Sequence, residues 1–305
     1  MRRECLTIIG ALLALGCTDT PTGDLTITLE AEETIPEGLT AGTGDENIVD
    51  GWNVTFDKYV VMVGDVHLER EAEGIEAHDE TVWAVDLAAI PATGITLASF
   101  EAIDAVRWDH FEYATPHPDG ATRHESVSEA DFDEMVANDW TYLIEGTLEK
   151  ADGESCPPGG ACRDATSLTF RFGVPVDAAF GPCEAEDGLS GVTVTEEGTS
   201  AAVTIHGDHM FFDAFPSGAE VIERRAQWLA NADTDGDDAI TAEELTGIDA
   251  ADLFPSELYN VSGSPYPVED GFDYLRGQLA TQGHFQGEGE CPWTVDGAMG
   301  GHDHD

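Results

Sequence analysis

The chain has 305 residues, 41% of them hydrophobic, with 62 Asp and Glu against 12 Lys and Arg and a formal net charge of −50. That apolar share supplies a core for one large or two modest domains. A charge this negative repels phosphate, which excludes nucleic acid as a partner, and the even spread of the acids reads as a solvated surface screened by salt.

Met1-Arg2-Arg3 begins the chain with positive charge, Leu6 to Leu15 is mostly apolar, and Gly16-Cys17 closes the run. This order describes a secretory signal over residues 1–16, too short to cross a bilayer as a mature helix. The stretch LALGC resembles the lipobox of bacterial lipoproteins, with Ala14 where Leu is commoner. The resemblance implies lipidation of Cys17 and a cell-envelope protein held to a membrane, since a multiply acylated cysteine anchors stably. Thr18 rather than Asp follows Cys17, which points to the outer membrane or cell surface rather than the inner membrane. Residues 17–45, rich in Thr, Gly, Glu and Pro, read as the lipidated cysteine and a flexible tether. No other run reaches eighteen apolar residues, so no second span is expected.

Strand patterns begin near residue 50. NVTFDKYVVMVGDVHLE alternates with a slip near Lys58, which suggests a bulge. TVWAVDL (81–87) and VRWDHFEYA (106–114) are further strands. TYLIEGTLEK (141–150) and SLTFRFGVPV (167–176) read as a hairpin, and GVTVTEE (191–197) with AAVTIHG (201–207) as another pair. Over residues 46–217 this spacing predicts an antiparallel β-sandwich. EADFDEMVAN interrupts it as a helix capped by Ser128, with Asp131 three residues on. Outside the cytoplasm, Cys156, Cys162, Cys183 and Cys291 suggest two disulfides, with three connectivities open. Cys156–Cys162, closing the PPGGA loop, with Cys183–Cys291 is favoured. A four-cysteine metal site is the alternative, but paired C-x-x-C spacing is missing.

The period changes near residue 218. AEVIERRAQWLANA (219–232), TAEELTGI (241–248) and VEDGFDYLRGQLATQ (268–282) carry helical spacing. Between the first two lies DTDGDDAITAEE (233–244), which resembles the EF-hand calcium loop. The resemblance implies carboxylate ligands from Asp233, Asp235 and Asp237, the carbonyl of Ala239, Thr241 acting through water and a bidentate Glu244, with Ile240 packed inward. It also implies an α-helical EF-hand module over residues 218–300. Asp238 stands where the family has Gly, at a turn that needs positive φ. No second loop is found, and a lone site outside the cell suits weak, structural calcium binding.

TIHGDHMFFD (204–213) supplies a second candidate. His206, Asp208 and His209 lie close together, and His284 in TQGHFQGEGEC is the best further ligand, which the Cys183–Cys291 bridge would bring near. Neutral imidazoles suit Zn2+ or Cu2+, and Asp213 is a reserve ligand or an acceptor for an imidazole N–H. HGDH lacks the Glu of the helical H-E-x-x-H motif. The tail GHDHD (301–305) is a weaker His-rich tract, and His110, His117 and His124 read as surface residues. No G-x-S-x-G, phosphate loop or free cysteine nucleophile is present. The expected fold is therefore mainly β with a C-terminal helical EF-hand module. The expected function is that of a non-enzymatic, calcium-binding envelope lipoprotein with an unidentified envelope partner. A Zn2+- or Cu2+-handling protein built on the His cluster is the alternative, and a metal-dependent hydrolase at the same place is the less favoured one.

Overall fold

The computed structural model describes residues 20–218, 221–295 and 298–299. The signal, the lipidation position Cys17 and the His/Asp tail at 301–305 lie outside the described residues. The chain is mainly β, with six short helices, none longer than ten residues. The strands that matter for the sites are β1 Thr22–Ala31, β2 Asn53–Arg70, β3 Ile75–Asp86, β4 Ile95–Asp104, β5 His110–Thr115, β6 Tyr142–Glu149, β7 Ser167–Val174, β8 Ala178–Phe180, β9 Thr199–Ile205, β10 Ala239–Ile240, β11 Gly283–Phe285 and β12 Trp293–Val295. The helices are α1 Thr34–Glu37, α2 Glu129–Asn138, α3 Gln227–Ala230, α4 Ala242–Thr246, α5 Ala250–Leu253 and α6 Gly271–Leu279.

The eighteen-residue β2 organises the larger sheet, which runs β10-β7-β6-β2-β5-β8-β12 with β3 on the other edge of β2. One edge of β2 pairs with β6 through residues 53–61 and with β5 through residues 64–69. The register shifts between Phe56 and Lys58, where the hydrophobic alternation slips. Tyr59 to Gly64 are buried without a break, because both faces of the sheet are covered here. Val61 and Val63 face the main core. Val60 and Met62 pack with Leu143 beneath Met135 and Phe132 of α2. Ser128 caps α2 by accepting from the Asp131 amide at 3.1 Å.

A smaller sheet, β11-β9-β1-β4, lies against the larger one and shares its core. Leu25, Ile27 and Leu29 of β1 are almost wholly buried there. The tether expected over 17–45 is thus corrected for residues 22–31. Thr and Glu alternate with Leu and Ile in DLTITLEA, and period-2 alternation makes a strand whatever the polar share.

The expected fold class is overturned in its C-terminal half. Among the described residues no helical EF-hand module is formed: α3 has four residues, α4 has five, and residues 271–295 comprise α6 followed by strands. Strands β10, β11 and β12 join the two sheets, so residues 218–300 do not stand apart from 46–217. Among the described residues of the helix expected over 219–232, α-helix is confined to 227–230. Upstream, Arg224 bridges to Phe212 and Ile48 through its backbone, and the guanidinium groups of Arg224 and Arg225 pair with Asp208 and Asp213. These contacts hold the segment extended against its helical pattern. The pair expected between 191–197 and 201–207 is not formed either. Val192 and Thr193 pair with Trp108 and Arg107, and β9 lies between β1, in parallel, and β11.

Cys156–Cys162 and Cys183–Cys291 are both disulfide-bonded. The first closes a separation of 6 residues and the second of 108. Loop-closure entropy then predicts stabilisation of roughly 2 kcal/mol for the short bridge and roughly 5 kcal/mol for the long one. Urea unfolding of the paired Cys→Ala variants should show the Cys183/Cys291 pair costing about twice as much; equal losses would mean that native-state packing, not chain entropy, dominates.

Candidate metal centre

Two neighbouring strands position the first two imidazoles. In the β9–β11 ladder Thr204 is opposite His284, and the pairing continues as the His206 amide donates to the Gln282 carbonyl at 3.1 Å. His206 and His284 therefore lie diagonally across the ladder, and their rings stack with centroids 4.0 Å apart. The strand can approach the larger sheet here because residue 283 is Gly: a Cβ would come within 2.5 Å of the Tyr113 hydroxyl and of the Phe180 ring. After His206 the chain enters a 3-10 turn, Gly207–Phe211, which folds the His209 ring back, 5.2 Å from His284 and 6.0 Å from His206 between centroids. Nε2 of His209 and Nε2 of His284 are 3.3 Å apart. One ring nitrogen from each of the three histidines lies within 4.8 Å of the others.

The hydrogen bonds fix a tautomer. Thr281 Oγ1 donates to the Gln278 carbonyl at 2.9 Å and lies 3.0 Å from His209 Nδ1. A hydroxyl has one proton to give, so His209 Nδ1 must donate to Thr281. Its Nε2 then keeps a lone pair directed into the cluster. Burial, reinforced by His284, His206 and Arg224, holds His209 well below the ordinary imidazole range. Burial and the neighbouring His206 bring His284 down to about 3. Both rings are neutral at neutral pH, the form that binds metal. His206 is 5% exposed, and its Nε2 is buried without a hydrogen-bond partner among the described residues. The three rings line a pocket of about 210 Å3 whose walls include Arg224, Glu288 and Trp293. Cys291 also lines it, so the long disulfide is part of the wall.

The expected ligand Asp208 is not brought into this trio. Its Oδ2 accepts from Arg224 Nε at 2.7 Å, and it groups instead with Glu32 and His206 while still lining the pocket. Burial, partly offset by the Thr34 hydroxyl and amide, raises the Glu32 carboxyl above its usual range. Asp213 is neither ligand nor imidazole acceptor: it accepts from the Glu223 amide at 3.0 Å and from Arg225 Nε at 3.2 Å.

The acidic loop supplies a second candidate group. Carboxylate oxygens of Asp233, Asp235 and Glu244 lie within 4.8 Å of one another. Asp233 is fully buried and accepts from the Gly236 amide at 2.8 Å and the Asp238 amide at 3.0 Å. Asp238 adopts φ +67°, the left-handed turn the loop requires, without glycine. Asp237 and Thr241 turn to local backbone: Asp237 accepts from the Ala239 amide, and Thr241 forms a capping box with Glu244. Ala239 and Ile240 pair in parallel with Thr169 and Phe170 of β7. An edge of the large sheet thus occupies the place of a second loop. The Arg163 guanidinium, missed in the sequence, pairs with both Asp233 and Asp238.

His110, expected as a surface residue beside His117 and His124, groups with His67 and Glu112, a juxtaposition that needs the β2–β5 register. His117 and His124 do not join it: His117 contacts Asp139 at 3.0 Å and His124 contacts Ser126 at 2.9 Å.

The Thr281 bond has a direct readout. In the metal-free protein, long-range 15N NMR should report His209 as the Nδ1–H tautomer. Thr281→Val should redistribute the tautomers and weaken transition-metal binding about tenfold or more, the usual cost of losing an outer partner of a ligand imidazole. An unchanged tautomer in the variant would show that Thr281 does not set it.

Comparison with protein-family models, with curated proteins and with solved structures finds no match for this chain.

Proposed function

We propose that the protein is a metal-binding protein in which His206, His209 and His284 hold one transition-metal ion. The observation that carries this reading is the convergence of three imidazoles from three local structures on one pocket, with the buried Nε2 of His206 otherwise unpartnered. Leaving a buried polar nitrogen unpaired costs roughly 1–3 kcal/mol, and a bound cation removes that penalty. Three nitrogens suit Zn2+ or copper. The pocket leaves room for a fourth, exchangeable ligand, which suits a protein that takes up and releases metal. Taken with the signal-like N-terminus, the reading is metal handling in the cell envelope. Elemental analysis of the oxidised protein, dialysed against mixed trace metals, should find at least one equivalent of Zn or Cu, and one equivalent fewer in His209→Gln. The absence of both metals from wild-type protein would end the proposal.

A second ion has support of its own. Asp233, Asp235 and Glu244 converge as the first, third and twelfth positions of a calcium loop would. Calcium there would tie α3, α4 and the edge strand β10 to β7, acting as a structural brace. At a hundredfold excess over its Kd it should stabilise the fold by about 2.7 kcal/mol. Arg163 competes for the same carboxylate of Asp233. Arg163→Gln should therefore raise calcium affinity on the order of tenfold, about 1.4 kcal/mol, while lowering stability in chelator. Calorimetry and thermal unfolding with and without Ca2+ test both halves. A wild-type protein that takes up no Ca2+ would overturn the calcium reading.

A further inference from the structure

A second group of histidines lies on the open face of the larger sheet. His67 of β2 is opposite His78 of β3 and opposite Glu112 of β5. Glu69 is opposite His110, two residues before Glu112. Directly opposed residues and residues two apart share a face, so His78, His67, Glu112 and His110 form one stripe across three strands. The intervening Leu68 and Phe111 are fully buried in the core. The stripe therefore stands on rigid backbone whose other face is packed.

The ligand atoms are close. His110 Nε2 is 2.9 Å from Glu112 Oε1, and His67 Nδ1 is 3.8 Å from Glu112 Oε2. One atom from each of the three lies within 4.8 Å of the others. The His67 and His110 ring centroids are 6.0 Å apart. Side chains of His110, His67 and Glu112 are 16%, 25% and 39% exposed, so they are half-buried rather than waving in solvent. Two features hold them. Gly181 lies against the Glu112 stem, where a Cβ would approach Glu112 Cγ to 2.3 Å. Glu71 Oε1 lies 3.4 Å from His110 Nδ1, the placement of an outer carboxylate that orients a ligand imidazole. Next to the trio, His78 is held by Asp65 through a 2.7 Å contact and meets His67 edge-on.

We infer that His67, His110 and Glu112 form a second transition-metal site, an open imidazole–imidazole–carboxylate site for Zn2+ or Cu2+ completed by water. The donor set is the two-nitrogen, one-oxygen kind that divalent zinc and copper accept. An ion would enter between His110 Nε2 and Glu112, replacing their direct contact, and His67 would close the third side. The surrounding acids, Glu71 and Asp65 among them, raise the local concentration of cations without selecting among them. Selection rests on the two imidazoles, which bind calcium and magnesium poorly. The site does not share a residue with the three-histidine pocket and does not depend on it.

The test is a Zn2+ titration of the folded, oxidised full chain in excess Ca2+, with bound zinc counted by equilibrium dialysis. The variants are His67→Gln/His110→Gln, His209→Gln and all three together. His67→Gln/His110→Gln should bind one equivalent fewer than wild type. The same loss should appear when these two changes are added to His209→Gln. If the pocket site proves empty, the His209→Gln count will match wild type, yet the surface pair will still lose one equivalent. An unchanged count in His67→Gln/His110→Gln overturns the inference. A complementary reading uses Cu2+ in place of zinc. Substoichiometric Cu2+ should broaden the imidazole NMR signals of His67 and His110 in His209→Gln protein, and broadening confined to other histidines would overturn it equally. His67→Gln and His110→Gln alter half-buried rings on the open face of the sheet and His209→Gln a buried one, so circular dichroism of each variant checks that the fold is kept.

Discussion

Everything in this molecule hangs on the way β2 changes partners halfway along. Its first half is paired by β6 and its second by β5, on the same edge. The exchange occurs around Gly64, where the chain passes so close to β3 that a Cβ would meet the Thr81 carbonyl oxygen at 2.0 Å. Only glycine allows that approach. Just before the exchange, over residues 59–64, the strand is buried on both faces, beneath α2 and above the main core. On the other side it turns one face outward, and His67 is on that face. The same crossing brings β5 into the sheet, and with it Tyr113, whose hydroxyl donates to the His284 carbonyl at 3.1 Å. One backbone constraint thus prepares both groups of imidazoles.

The buried trio is an electrostatic anomaly in a chain of net charge −50. Surrounding acids would ordinarily favour protonated histidine. Here desolvation wins: burial is the largest cause of the lowered values at His209 and His284, reinforced by the neighbouring imidazoles and, at His209, by Arg224. Asp208 and Arg224 neutralise each other at the pocket wall. His209 and His284 are thereby held as neutral imidazoles in spite of the acidic surface. A core that wanted only stability would fill this space with apolar side chains, since buried polar groups without partners are costly. The retention of three adjacent imidazoles argues for a ligand.

The sequence disclosed these features unevenly. His206 and His209 are three apart in one turn, and the cysteine arithmetic placed His284 near them, so local spacing and a covalent link were enough. The calcium-loop pattern likewise named Asp233, Asp235 and Glu244, which do converge. Its flanking helices misled. Helical spacing in AEVIERRAQWLANA is real, but Arg224 and Arg225 are clamped by Asp208 and Asp213, and tertiary ion pairs override a weak local preference. The β1 strand was hidden by its Thr and Glu content. The surface stripe was out of reach altogether. His67 and His110 belong to different strands, and their meeting depends on a register set after the Gly64 crossing, which periodicity within either strand cannot reveal.

The three-histidine pocket and the acidic loop each lie beside a disulfide, and this fits the composition. With 12 basic residues against 62 acidic ones, the chain has few cations with which to fasten loops by ion pairs. Covalent links and metal ions do not suffer from that shortage. Cys162 is next to Arg163, which holds Asp233 and Asp238, while the Cys156 amide donates to Asn231 Oδ1 at 2.9 Å, close before the acidic loop. Cys291 forms part of the three-histidine pocket and ties it to Cys183, beside β8. Oxidation would therefore complete both frames before an ion arrives, and the ions would add the positive charge that the chain itself lacks. On this view the acidity of the surface and the proposed metal centres are connected: a polypeptide with so few cations of its own would be stabilised by those it took up.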